Sequence, residues 1–119
     1  MTFDDLERDR IAACRELIAA RAFAAEHLRG VLTHDRSWDA MQRLYLATLE
    51  RKEFLQSWFA PEVPANAHRI ASRLRSLGLI ATSIDPRDHR RILVNLTKQG
   101  QTAMEAVIDY LLCAGFARG

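Results

Sequence analysis

The side chains in this chain best suited to chemistry are cations, and they are clustered. Residues 64–98 hold Arg69, Arg73, Arg75, Arg87, Arg90, Arg91 and Lys98, opposed only by Asp85 and Asp88. That window carries +5, while residues 1–60, with nine basic and ten acidic side chains, sit at −1 and the whole chain at +2. Concentrated positive charge is the footprint expected of a surface that binds a polyanion. Arg69 and Arg73 are four apart and so share a helical face, which either contacts DNA or is solvated and internally paired. Asn66 can bond an adenine edge through two atoms, or can equally cap its own helix. His68 and His89 read as surface or phosphate-contacting groups rather than ligands.

Other chemistries have little to stand on. There is no Cys-x-x-Cys or His-x-x-x-His spacing, and His27, His34, His68 and His89 fall on different predicted elements. No Gly-rich phosphate loop, nucleophile elbow or acid–base pair suggests an enzyme, and no cofactor is expected. Cys14 and Cys113 lie near opposite ends, which is no disulfide framework and suits a reducing cytoplasm. The apolar runs are far shorter than the ~20 residues a membrane helix needs. The acidic start, Met1 to Asp9, lacks an apolar signal core, so export is not expected.

The cations need elements to hold them. At 119 residues and 49% hydrophobic, the chain has the material for one domain with a core. Residues 3–31 read as one long helix: Ile11, Cys14, Ile18, Ala25, Leu28 and Leu32 recur at three- and four-residue steps with Arg21 interrupting the series, and Gly30 is a plausible stop. Its alanines permit close approach of a second helix, either a partner subunit's or one from its own core. Ser37 suits a cap for a helix over about 37–51, with Trp38, Met41, Tyr45 and Leu49 inward. Phe54, Leu55, Trp58 and Phe59 suggest a short core helix, about 53–60, that must stop at Pro61.

Pro64 is well placed in the first turn of a helix over about 64–77. Ala67, Ile70, Ala71, Leu74 and Leu77 line its inner face, with Asn66, Arg69, Ser72 and Arg73 elsewhere. Gly78 ends it. The period then changes to strand type for 79–84 and 91–96, joined through a charged turn, Asp85 to Arg90. Thr97 caps a last helix, about 98–114, with Met104, Val107, Ile108, Leu111 and Leu112 apolar. The fold class is mainly α with a small β-hairpin, in the order of a winged helix-turn-helix.

Residues 77–97 sharpen this. They supply Gly78-Leu79-Ile80, then Asp85-Pro86, Asp88 and Arg90, then Val94, Leu96 and Thr97, with Gly100 following. This pattern resembles the wing of the MarR family of transcriptional regulators. Upstream, Trp38-Asp39-Ala40-Met41 and Val63-Pro64-Ala65-Asn66-Ala67-His68-Arg69-Ile70 resemble a MarR-like subgroup found in alphaproteobacteria. The resemblance covers about residues 37–110.

It implies a cytoplasmic homodimer that binds double-stranded DNA. In that reading 1–119 is a single winged-helix domain, with 3–31 and 98–114 as dimerisation helices and 37–97 as the winged helix-turn-helix. The helix over 64–77 enters the major groove, and the wing over 79–96 lies on the minor groove or backbone. The DNA-binding candidates are Asn66, His68, Arg69, Ser72 and Arg73 on the helix and Arg87, His89, Arg90 and Arg91 on the wing. Arg90 is the wing arginine and Asp88 its ion partner, a pair that is either structural, a DNA contact, or both. Cys14 falls where some relatives carry a redox cysteine, but its apolar stripe favours a small buried hydrophobe. No sequence feature marks a small-molecule effector. A protein-interaction module and a non-specific nucleoid-type binder are the alternative functions.

Overall fold

The computed structural model describes residues 2–28 and 36–113. Helix α1 spans Phe3–His27 and begins with a capping box: Thr2 Oγ1 accepts from Asp5 N, and the Asp5 carboxylate accepts from Thr2 N. Gly30 and Leu32 lie outside the described residues. Helix α2 spans Ser37–Leu49. Its cap position is Arg36, and Ser37 is buried inside the first turn rather than capping it. The chain enters from Arg36 at φ −86 and ψ 25, without a side-chain cap bond.

Helix α2 ends in a Schellman motif. Lys52 N donates to Ala47 O (2.9 Å) and Arg51 N to Thr48 O (3.2 Å), with Arg51 left-handed at φ 58. An L side chain there is strained. Arg51→Gly is therefore expected to stabilise the protein by roughly 0.5–1 kcal/mol, after the extra chain entropy of glycine is discounted. A urea-unfolding midpoint that fell would contradict this.

The expected third helix is shorter than its apolar pattern suggests, a 3-10 turn over Gln56–Phe59. Residues 54 and 55 are instead used as strand. Val94 N donates to Phe54 O (2.9 Å), and Leu55 forms an antiparallel bridge with Leu93. An extended Leu55 leaves no room for a helix before Gln56. Helix α3 spans Pro64–Ser76, and strands β1 (Ile80–Ile84) and β2 (Ile92–Leu96) pair antiparallel from Ile80↔Leu96 to Ile84↔Ile92. Helix α4 spans Lys98–Cys113. These are four helices and a two-stranded hairpin in the order of a winged-helix fold.

The core gathers Ala24 and Leu28; Ala40, Met41, Leu44 and Tyr45 of α2; Phe54 and Phe59; Ala67, Ile70, Ala71 and Leu74 of α3; Leu79, Ile80 and Val94; and Met104 and Val107 of α4. Three residues expected inside are not. Leu49 is exposed, Trp58 is 43% exposed with its ring edge-on to Phe54, and Cys14 is exposed. The reason for Cys14 is geometric. A 25-residue helix is about 37 Å long, on a molecule of 57 × 25 × 25 Å. From Glu7 to Arg15 every residue of α1 is exposed, so its first half covers none of its own core. Among the described residues no helix is long and apolar enough to cross a membrane.

Candidate nucleic-acid interface

Helix α3 starts where Pro64 follows an extended Val63, so the missing proline N–H costs nothing. Leu79 N donates to Leu74 O (3.0 Å) and Gly78 N to Arg75 O (2.9 Å), with Gly78 at φ +75 closing the helix. Ala67, Ile70, Ala71 and Leu74 anchor its inner face. On the outer side Asn66, His68 and Arg69 are exposed, and among the described residues none of their side chains has a hydrogen bond or ion pair. Ser72 and Arg73 are half-buried. Asn66 and Arg69 border a cleft of about 300 Å³ with Arg36 and Glu62, whose charges lie 3.6 Å apart. The helix contains no acidic residue.

Arg75 is a fastener. Its Nη1 donates to Thr82 Oγ1 (3.0 Å) and its Nη2 to Ser72 Oγ (3.3 Å), tying α3 to the hairpin. Arg43 has a comparable task, donating to the carbonyls of Trp58 (3.0 Å) and Phe59 (3.2 Å) while paired with Asp39 (2.9 Å). These bonds fix the 3-10 turn against α2 and thereby set where α3 begins.

The hairpin tip is built around Asp85, whose side chain is 1% exposed. Its Oδ1 accepts from Arg87 N (2.9 Å) and its Oδ2 from Arg91 Nη1 (2.8 Å). The backbone closes with Asp85 N to Arg91 O (2.9 Å) and Arg91 N to Asp88 O (2.9 Å). Arg90 projects outward at 92% exposure, with Nε and Nη2 donating to the two Asp88 oxygens at 3.1 and 3.3 Å. The Arg90 side chain, then its backbone N–H, hold the Asp88 carboxyl below the usual carboxylate range. A lowered pKa means that this contribution is present at neutral pH and lost only as pH falls through the lowered value. His89 is exposed beside the pair.

Arg87 and Arg91 have a different setting. Glu53, on the link between α2 and the 3-10 turn, accepts from Arg87 Nη2 (3.3 Å) and Arg91 Nη2 (2.8 Å), one through each carboxylate oxygen. The hydrogen bond that Arg91 donates to Glu53 is the main reason the Arg91 pKa is raised. The tip thus joins Arg87, Arg90 and Arg91 with Glu53, Asp85 and Asp88, three cations with three anions. Helix α3 carries Arg69, Arg73 and Arg75 with no acid on the same helix. Asp85 has a local signal, since an Asp-Pro pair opening a turn is suited to bonding its own backbone. Glu53 has none, standing 34 and 38 residues from its partners.

No family model matches the sequence, and no curated protein does. Solved structures do. RV1404 from Mycobacterium tuberculosis superposes with a TM-score of 0.68 at 20% identity, over 99% of this chain and 79% of that one. The S. aureus MepR–DNA complex gives 0.66 at 19%, over 82% and 77%. A probable transcriptional regulator from Pseudomonas aeruginosa gives 0.53 at 24%, over 89% and 75%. At these identities the matches show a shared fold, a MarR-like winged helix.

Proposed function

We propose that this protein is a non-enzymatic, cytoplasmic transcriptional regulator that binds double-stranded DNA as a homodimer, with residues 1–119 forming one winged-helix domain. The observation that carries this reading is the outer face of α3. It presents Asn66, His68 and Arg69 without internal partners among the described residues, on a helix with basic residues and no acid. A helix of this kind fits the major groove and can read base edges. Ser72 and Arg73 extend the same face, and Arg90 and His89 on the exposed tip lie on the minor groove or backbone. Arg87 and Arg91 face the Glu53 carboxylate, so they reach a phosphate only where it displaces that carboxylate. The MarR-like fold supports the reading, as does the alphaproteobacterial pattern around Trp38 and Val63.

The dimer rests on α1. Two and a half turns exposed on all sides are marginal in water. Ile11, Leu17, Ile18 and Leu112 are exposed together with them, beside an apolar groove lined by Cys14, Leu17, Ile18, Trp38, Val107 and Leu111. A two-fold pairing through α1 and α4 covers this surface and sets two α3 helices about one duplex turn, ~34 Å, apart.

Selection of bound sites from random duplex DNA is expected to yield a palindromic motif. Enrichment without a motif would mean a non-selective binder, and no retained duplex would leave a protein-interaction module. Because Ile18 is 66% exposed in the single chain, Ile18→Glu is expected to give folded monomer by light scattering. A wild-type protein that is already monomeric at micromolar concentration would refute the dimer.

A further inference from the structure

We infer that Glu53 limits the sequence-independent DNA affinity of this protein by withholding Arg87 from phosphate; the inference rests on the DNA-binding reading above. Arg87 is 77% exposed at the wing tip, a position from which a guanidinium would ordinarily find a phosphate. It is instead paired with Glu53 at 3.3 Å, and its Nε lies 3.8 Å from the Asp85 carboxylate. Glu53 reaches the tip from outside the hairpin and uses its second oxygen on Arg91 at 2.8 Å. No turn geometry requires it there. The tip's backbone is already closed by Asp85 and Asp88, and the hairpin is already held to the body at Phe54, Leu55 and Thr82.

What Glu53 changes is charge. Asp85 and Asp88 offset only two of the tip's three arginines, and Glu53 offsets the third. A phosphate approaching Arg87 must displace a carboxylate, so no net counterion is released there. Sequence-independent binding is driven by that release. With the tip neutral, attraction to DNA is carried by α3, the element able to read bases. The wing then adds orientation through Arg90 without adding strong adhesion to any duplex.

The test is a double-mutant cycle on a random duplex titrated across salt, with thermal melts as a folding control. Wild type is expected to bind with a negative salt slope. Glu53→Gln is expected to steepen the slope of log K against log salt by about 0.9 per subunit, and to tighten low-salt binding about tenfold. Arg87→Gln alone is expected to leave the slope nearly unchanged, because its charge is already matched. In the Glu53→Gln background the same change removes the gained ~0.9. An unchanged slope in Glu53→Gln overturns the inference. So does an equal loss from Arg87→Gln in both backgrounds, which would make Glu53 a remote charge and not a partner. If Glu53→Gln does not fold, Glu53 is structural, and the inference then stands or falls on Arg87→Gln, whose loss of ~0.9 in wild type would reject it. Wild-type protein that binds no duplex at low salt overturns the DNA-binding reading itself, a distinct result.

Discussion

Affinity for duplex DNA is expected to fall by about a thousandfold or more between about 50 and about 200 mM salt. Arg69, Arg73 and Arg75 sit on α3, a helix with no acid of its own, and Lys98 opens α4. The proposed two-fold dimer doubles them, and each phosphate neutralised releases counterions. The elements are expected to divide the work. Arg69 and Asn66 face outward on α3, where a bidentate base contact discriminates by about 1–3 kcal/mol per base pair. Arg69→Ala or Asn66→Ala should therefore narrow the gap between a selected operator and a scrambled duplex. Arg90 lies on the tip, which the proposed docking sets on the minor groove or backbone, and the minor groove offers a degenerate code. Arg90→Ala should weaken both duplexes modestly and in similar proportion, with little change in salt slope because Asp88 already matches its charge. Binding that is flat across the salt range would reject the electrostatic account. Loss of specificity from Arg90→Ala alone, with both helix variants unaffected, would reverse the assignment. A variant that chiefly melts lower would make Arg90–Asp88 a structural pair.

Gly100→Ala is expected to destabilise the protein by about 3 kcal/mol or more, lowering the melting temperature by about 10 °C. A Cβ on Gly100 would stand 2.1 Å from Leu79 O, 3.0 Å from Leu79 C and 3.2 Å from its Cα. Backbone cannot swing aside as a side chain can. The segment is also held on both sides: Thr97 N donates to Leu79 O (3.1 Å), Thr97 Oγ1 to Gly78 O (2.6 Å), and Gly100 N to Thr97 Oγ1 (3.0 Å). Relief would require pulling α4 off the hairpin base and breaking these bonds. Gly78→Ala is the calibrating variant. It meets only the flexible Gln99 amide, at 3.0 Å, and carries the strain of φ +75, a cost of about 1–2 kcal/mol. Circular-dichroism melts that placed Gly100→Ala within a few degrees of wild type, or above Gly78→Ala, would show that the contact is not tight.

The elements themselves were legible in the residues. Periodicity changed from helical to alternating at Gly78, whose positive φ only glycine takes without strain. Thr97, read as a cap, accepts from Gly100 N. The alternation of Ala67, Ile70, Ala71 and Leu74 against Asn66, His68 and Arg69 placed the two faces of α3 where the structure has them. These features are local: a cap, a turn or a helical face is decided within four residues by backbone sterics and by which side chains avoid water.

Tertiary structure decided what each charge does. Arg69 and Arg87 are alike in a sequence, yet one stands without a partner among the described residues and the other faces Glu53 at 3.3 Å from 34 positions away. The same holds for Arg43 and Arg75, spent on carbonyls and hydroxyls of neighbouring elements. The apolar stripe of α1 was visible, but not that its first half lies beyond its own core and leaves Cys14 in the open. Phe54 and Leu55 read as helix by their apolar spacing, until the wing strand claimed their backbone. Hydrophobic periodicity reports that a face avoids water without saying what covers it. A charge reports its sign, but its work depends on which opposite charge the folded chain brings within about 4 Å, and that is a property of the packing.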